Sequence, residues 1–364
     1  MSGAPELRAA ADVLVQDYMA VTASEEVLVT IDTATDFAAA EALFSGVLAA
    51  GAKPTILQIP QLPFQGTLAD KFVPDALAGA VSRCGVWIDL TFPYLAGSSV
   101  HDEAMRSQSV RYLLGGDMHS GGLTRLFGAV DLDQFQQAFD VYTETLCVNE
   151  GAKIRVTCPL GTDVTYSLGK AAYGKPRRAL KPGTYLVPGS CTMFPEIDSV
   201  QGKIVTPAGF HEYFTEFSTP ITIEVDGRIR SVTGGGADRK VLDRSLHRAG
   251  GGKYGYVIHF TFAMHPAARF TGGSFIEDSR VHGMNAVGLG LPWWVPGGGE
   301  NHPDVVVADQ SIYVNDVLVI DGGAAMYPPR LVEAAAILDQ SKDTRLEAYA
   351  ANALSENSQA GGAS

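Results

Sequence analysis

The segment Glu300-Asn301-His302-Pro303-Asp304 carries the sharpest chemical signal in the chain. On a strand, residues i and i+2 point to the same face, so the His302 imidazole and the Asp304 carboxylate can bind one ion together. Val305-Val306-Val307 continues as an apolar strand that would hold the pair rigidly. Gly297-Gly298-Gly299 precedes it and supplies a loop able to pass close to a ligand. We therefore expect His302 and Asp304 to bind a catalytic metal ion. The alternative is a surface turn before a strand, because this spacing is common.

Six of the eight histidines lie after residue 200, so a metal site is sought first in the second half. His259 and His265 flank Phe260-Thr261-Phe262-Ala263-Met264. His259 falls on an expected strand, Gly255 to Phe262, among apolar neighbours. Alone it reads as a core histidine with its hydrogen bonds satisfied. In company with His302 and Asp304 it would complete two imidazoles and a carboxylate. That donor set suits non-haem iron(II) with dioxygen, and it also suits zinc with a water.

Glu196 follows a turn and could serve as a general base or a further ligand. His211, beside Glu212, could relay protons. His119 follows an expected strand through Gly115-Gly116-Asp117-Met118, where parallel sheets place ligands. His282 stands next to Gly283. Trp293-Trp294 could line an aromatic pocket or simply pack in a core. His101 and His247 read as surface or structural residues.

Other chemistries find no support. No Gly-x-Ser-x-Gly elbow is present, which leaves a serine hydrolase without its nucleophile. The first expected strand runs into Asp32-Thr33-Ala34-Thr35 rather than a Gly-x-Gly-x-x-Gly loop, which argues against a dinucleotide. No phosphate loop of the Walker kind occurs. Cys84, Cys147, Cys158 and Cys191 are widely spaced and read as reduced thiols.

The elements that must position these residues fall into two textures. Over residues 1–150 helical and strand periods alternate. Helices are expected at Leu7–Val21, Asp36–Ala50, Asp75–Arg83 and Leu132–Val148. Strands are expected at Val27–Ile31, Thr55–Ile59, Val86–Leu90 and Arg111–Leu114. Such alternation implies an α/β domain with a parallel sheet. From Gly151 to residue 354, β-rich runs separated by Gly and Pro turns imply an α+β, β-rich catalytic domain that binds the metal. Ile154–Thr157, Ile221–Val225 and Ile312–Val314 are examples, and Asp226-Gly227 marks a hairpin. A helix is expected from Pro329 to about Asn352. Residues 355–364 read as a disordered tail.

The 364 residues suffice for two domains, and 46% hydrophobic with 18% charged residues is a globular composition. A net charge of -13 with no basic run argues against nucleic acid and anionic membranes. No apolar run is long enough to span a bilayer. Glu6, Arg8, Asp12 and Asp17 make the start of the chain an amphipathic helix rather than a signal peptide, so a cytoplasmic protein is expected.

Four segments together carry a family resemblance. Gly161-Thr162-Asp163-Val164-Thr165-Tyr166 resembles the Gly-Thr-Asp-Leu-Thr-Phe strand of thermophilic metallo-aminopeptidases of the aminopeptidase T type. His259-Phe-Thr-Phe-Ala-Met-His265-Pro266 resembles their Glu-Leu-Gly-x-Gly-x-Asn-Pro segment. Gly283-Met-Asn-Ala286-Val-Gly-Leu-Gly290 resembles Gly-Thr-Val-His-Ile-Ala-Leu-Gly, and His302-Pro-Asp304 their final His-x-Asp. The segments keep their order from Gly161 to Asp304. The resemblance implies an aminopeptidase T-like fold.

Two departures change what the resemblance implies. His259 stands where the peptidases have a glutamate ligand, and Ala286 where they have a histidine ligand. The ligands left are His259, His302 and Asp304, a facial triad for one metal rather than two. That altered pattern is similar to the 2,5-dihydroxypyridine 5,6-dioxygenases. It implies Fe(II), dioxygen, and a small aromatic substrate such as a hydroxylated N-heteroaromatic. It also implies a homo-oligomer with sites sheltered between subunits. Glu196 and His211 become candidates for base and relay. His119, His265 and His282 become candidates for contacts to substrate or oxygen. A metallo-aminopeptidase with an altered site is the alternative, and a catalytically inactive binding protein on the same scaffold is a third reading.

Overall fold

A computed structural model describes residues 4–170, 178–210, 214–291 and 302–338. The described chain forms two compact units. The first comprises Met1–Asp133 and Pro176–Pro188, and the second Gln134–Lys175 and Gly189–Ser364.

The first unit is a parallel sheet with helices. Its strands are β1 (Glu26–Ile31), β2 (Lys53–Gln58), β3 (Val86–Asp89) and β4 (Arg111–Leu114). A fifth strand arrives only after β5 (Lys153–Thr157) and β6 (Asp163–Ser167) of the second unit; it is β7 (Gly183–Leu186). The order is β2-β1-β3-β4-β7, all parallel. The central strands β1 and β3 are apolar and buried on both faces, whereas β2 at the edge is half exposed. Helix α1 (Ala4–Asp12) runs on as a π-helical stretch, Val13–Tyr18. Helix α2 (Phe37–Ala49) starts where the Asp36 carboxylate accepts from the Ala38 N–H. Helices α3 (Asp75–Val81) and α4 (Ser99–Ser107) follow, the latter polar and not expected from periodicity. The carboxyl end of β3 is tied by Asp89, which is fully buried. It accepts from Thr30, Thr91 and Tyr112 hydroxyls and from the N–H groups of Thr91 and Leu95.

The second unit is built on a twelve-stranded sheet. Along its main path the order is β17-β16-β15-β5-β6-β9-β14-β13-β12-β8. These strands are β8 (Ser190–Met193), β9 (Gln201–Phe210), β12 (Tyr256–Ala263), β13 (Asn285–Gly290), β14 (Asp304–Val307), β15 (Ser311–Val314), β16 (Val317–Asp321) and β17 (Ala324–Ala325). Strand β10 (Phe214–Asp226) pairs with β9, and β11 (Arg228–Gly234) closes the expected hairpin at Asp226-Gly227.

One face of this sheet makes the core. Val257, Phe260, Phe262, Val287, Leu289, Val305 and Val307 all point into a single buried cluster. The helix Leu132–Leu146 lays Phe135, Ala138, Phe139, Tyr142 and Leu146 into it, the spacing of one helical stripe. Tyr142 stacks on Phe262 at 5.7 Å, and Tyr166 on Phe260 at 4.6 Å. Truncating a ring such as Phe260 to alanine would cost about 3–5 kcal/mol. The opposite face of β12, β13 and β14 is thereby left to carry chemistry.

His211, Trp293-Trp294, Gly297-Gly298-Gly299 and the tail lie outside the described residues. The helix expected after Pro329 is described over Pro329–Leu338. No helix among the described residues is long and apolar enough to cross a membrane.

Candidate metal centre

Three neighbouring antiparallel strands place one residue each in a single row. In register, His259 of β12 faces Gly288 of β13, and Gly288 faces Asp304 of β14. Alternation explains the direction of each side chain. Phe260, Val287, Leu289 and Val305 occupy the core face, so His259, Gly288 and Asp304 occupy the other. A β-bulge between Val257 and His259 makes this compatible with Val257 also entering the core. His302 stands two residues before Asp304 and joins the same face, as an i, i+2 pair should.

The donor atoms converge. His259 Nε2 lies 2.8 Å from His302 Nε2, and Asp304 Oδ1 lies 3.5 Å from the first and 3.6 Å from the second. Among the described residues these three form a group able to hold a metal ion. Ligand atoms about 3 Å apart are what bonds of about 2 Å to one ion require. The two imidazoles can also share one N–H between them. That pairing leaves Asp304 Oδ1 buried with no hydrogen-bond partner, and the same holds for His259 Nδ1. An unpartnered carboxylate oxygen aimed at two imidazole nitrogens is explained by a cation and not by the neutral pair.

Electrostatics agree. Burial pushes the Asp304 carboxyl up to about 8 and the His302 imidazole down to about 4. Burial, and then the neighbouring His302, hold His259 well below the usual histidine range. Both imidazoles are therefore neutral with lone pairs available, and the carboxyl lacks the positive charge that would favour its ionised form. A divalent cation supplies that charge.

Gly288 makes the convergence sterically feasible. A Cβ there would fall 2.3 Å from His259 Nε2 and 2.8 Å from His302 Nε2. Ala286, two residues earlier on the same face, is buried and contributes only a methyl group. The rim is aromatic. Phe194 meets the His259 ring edge-on at 6.3 Å, and Phe210, opposite Asp304 in register, meets Phe214 and Phe275.

The other expected residues stand elsewhere or have other contacts. His265 is buried; its Nδ1 accepts from the N–H groups of Ala267 and Ala268, and its ring packs on Phe135. His282 packs against Phe262, whose ring points into the core. Glu196 is exposed and opens a short 3-10 turn, its carbonyl accepting from Ser199. His119 belongs to the first unit, where its Nδ1 caps a short helix by accepting from the Gly122 N–H. Gly288 escaped sequence reasoning, although a glycine inside an apolar strand is itself a sign of close approach.

Residues 13–326 match the family model of 2,5-dihydroxypyridine 5,6-dioxygenase (NicX). The chain belongs to that dioxygenase family. Its fold is similar to that of a 2,5-dihydroxypyridine dioxygenase from Pseudomonas putida KT2440. The two share 18% identity over 91% of this chain and 99% of the other, with a TM-score of 0.74. It is also similar to the aminopeptidase AmpT of Thermus thermophilus, with 13% identity over 89% and 99% of the two chains and a TM-score of 0.59. At these identities the likenesses describe the fold. No curated protein sequence matches the chain significantly.

Proposed function

We propose that this dioxygenase holds one iron(II) ion with His259, His302 and Asp304 and opens the ring of a hydroxylated N-heteroaromatic of the dihydroxypyridine class. The observation that carries the reading is the unpartnered Asp304 Oδ1 set against two neutral Nε2 atoms. Iron(II), when bound, supplies the electrons and open positions that dioxygen chemistry needs. The chain's own residues do the rest. The two imidazoles and the carboxylate are the groups that would hold the ion. Phe194 and Phe210 flank the ligand row, and their rings favour a flat aromatic substrate and exclude water. A proton must leave the substrate hydroxyl. Glu196 and His211 are the proposed base and relay, whereas His265 and His119 accept backbone N–H groups at Nδ1. A homo-oligomer in the cytoplasm remains part of the proposal, and light scattering tests the assembly.

The test is oxygen uptake by protein loaded anaerobically with iron(II) and supplied with 2,5-dihydroxypyridine. One dioxygen per substrate is expected, with loss of the aromatic absorbance and no uptake by His302→Ala. Hydrolysis of aminoacyl amides with zinc or cobalt, and no oxygen uptake, would establish the peptidase reading instead.

A further inference from the structure

We infer that Gly288 is a positioning residue of the metal seat: its missing side chain is what allows His259 and His302 to converge beside Asp304. The inference rests on the ligand set proposed above and adds a residue that donates nothing to the metal.

Gly288 is the middle of the row, paired with His259 on one side and Asp304 on the other. In a sheet the side chain at such a position rises between its two neighbours. An alanine Cβ would lie 2.3 Å from His259 Nε2, 2.6 Å from His259 Cδ2 and 2.8 Å from His302 Nε2. Real carbon atoms do not approach so closely. Its nearest contacts are therefore the ligand imidazoles. The backbone does not require glycine here either. Gly290, two residues on, has φ of +139°, whereas Gly288 is outside the positive-φ positions. An alanine at 288 thus suits the strand, and its three nearest contacts are atoms of the two rings, which can swing away about their side-chain bonds. Swinging away separates the donor atoms. The position consequently decides between two outcomes, a glycine that admits converging imidazoles and any larger residue that forces them apart. Selection for folding alone would favour the larger residue, since glycine weakens a strand interior.

The experiment titrates Co(II) anaerobically into the metal-free full chain and follows its visible absorption, with thermal unfolding of the metal-free protein measured in parallel. Wild-type protein is expected to take up one ion. Gly288→Ala is expected to keep the wild-type unfolding temperature in the metal-free state and to lose roughly 10- to 100-fold in Co(II) affinity. Gly273→Ala, where an added Cβ meets nothing within 4 Å, is expected to bind as wild type. If Gly288→Ala fails to fold, adding His259→Ala should restore folding by removing the closest clash. Unchanged Co(II) binding by Gly288→Ala, or no rescue by the second change, would overturn the inference. A wild-type protein that binds no Co(II) would instead overturn the ligand set itself, so the two failures are distinct.

Discussion

Asp278 raises at residue scale the same problem as Asp304, a buried carboxylate with one idle oxygen. It is fully buried; Oδ1 accepts from the Thr271 N–H at 2.6 Å and the Thr271 hydroxyl at 2.8 Å, and Oδ2 has no partner. Burial, with the Glu277 charge adding to it, pushes this carboxyl up to about 6. The folded protein then binds a proton that the unfolded chain has already released between about pH 4 and pH 6, so stability falls as pH rises through that window. Above it the cost is fully present, up to about 3 kcal/mol. Asp278→Asn keeps the Oδ1 acceptor and cannot ionise. Urea unfolding is expected to find it more stable than wild type at pH 7.5, with the gain gone below about pH 4. An equal gain at both pH values would mean that charge burial is not the cause. The three residues that the structure brings together were legible in sequence to different degrees. For His302 and Asp304 the i, i+2 spacing was a weak signal that the matched family segments raised, and His259 entered only through their company. Gly288, as a glycine inside an apolar strand, signals close approach, but what approaches it appears only when three strands are paired.

At the scale of elements, the row depends on β13 staying registered against β12, and side chains finish that pairing. Beyond Phe260 the Thr261 N–H donates to the Asn285 side-chain oxygen at 2.9 Å. The Thr261 hydroxyl accepts from the Ala286 N–H at 2.8 Å and donates to the Ala286 carbonyl at 3.1 Å. Thr261→Val preserves shape and β-propensity but strands a buried N–H and a carbonyl. It is expected to cost about 1–3 kcal/mol in denaturant unfolding. A cost near zero would show that water replaces the hydroxyl. Elements with strong apolar patterns were legible: β1, β3, β4 and the helix Leu132–Leu146 lie within a residue or two of expectation. Helix α4, Ser-Val-His-Asp-Glu-Ala-Met-Arg-Ser, was not, because it is short and mostly polar, and the narrow face it turns inward holds only Val100, Ala104 and Met105 beside His101. The bulge in β12 was also hidden. A strict period of two across Val257, His259 and Thr261 would put all three on one face, and only tertiary packing reveals that Val257 belongs with Phe260.

At the scale of the whole molecule, the ligand row belongs entirely to the second unit. Metal binding by the proposed ligands would therefore stabilise that unit by mass action, about 3 kcal/mol at an ion concentration 100 times the dissociation constant. Chelation of the loaded protein is expected to reduce hydrogen-exchange protection in β12, β13 and β14 and to leave β1 and β3 unchanged. A uniform loss across both sheets would mean that the two units unfold as one.

The interleaving of the chain also sets an order of events during synthesis. Strand β7 pairs with β4 in the parallel sheet, yet it is made after β5 and β6, which belong to the other sheet. A nascent chain emerging at about 5–20 residues per second therefore holds four strands of the first sheet for several seconds before the fifth exists. Throughout that interval the outer edge of β4 offers unpaired N–H and carbonyl groups to any neighbouring strand. A ribosome stalled just before Gly183 would hold the chain in that open-edged state.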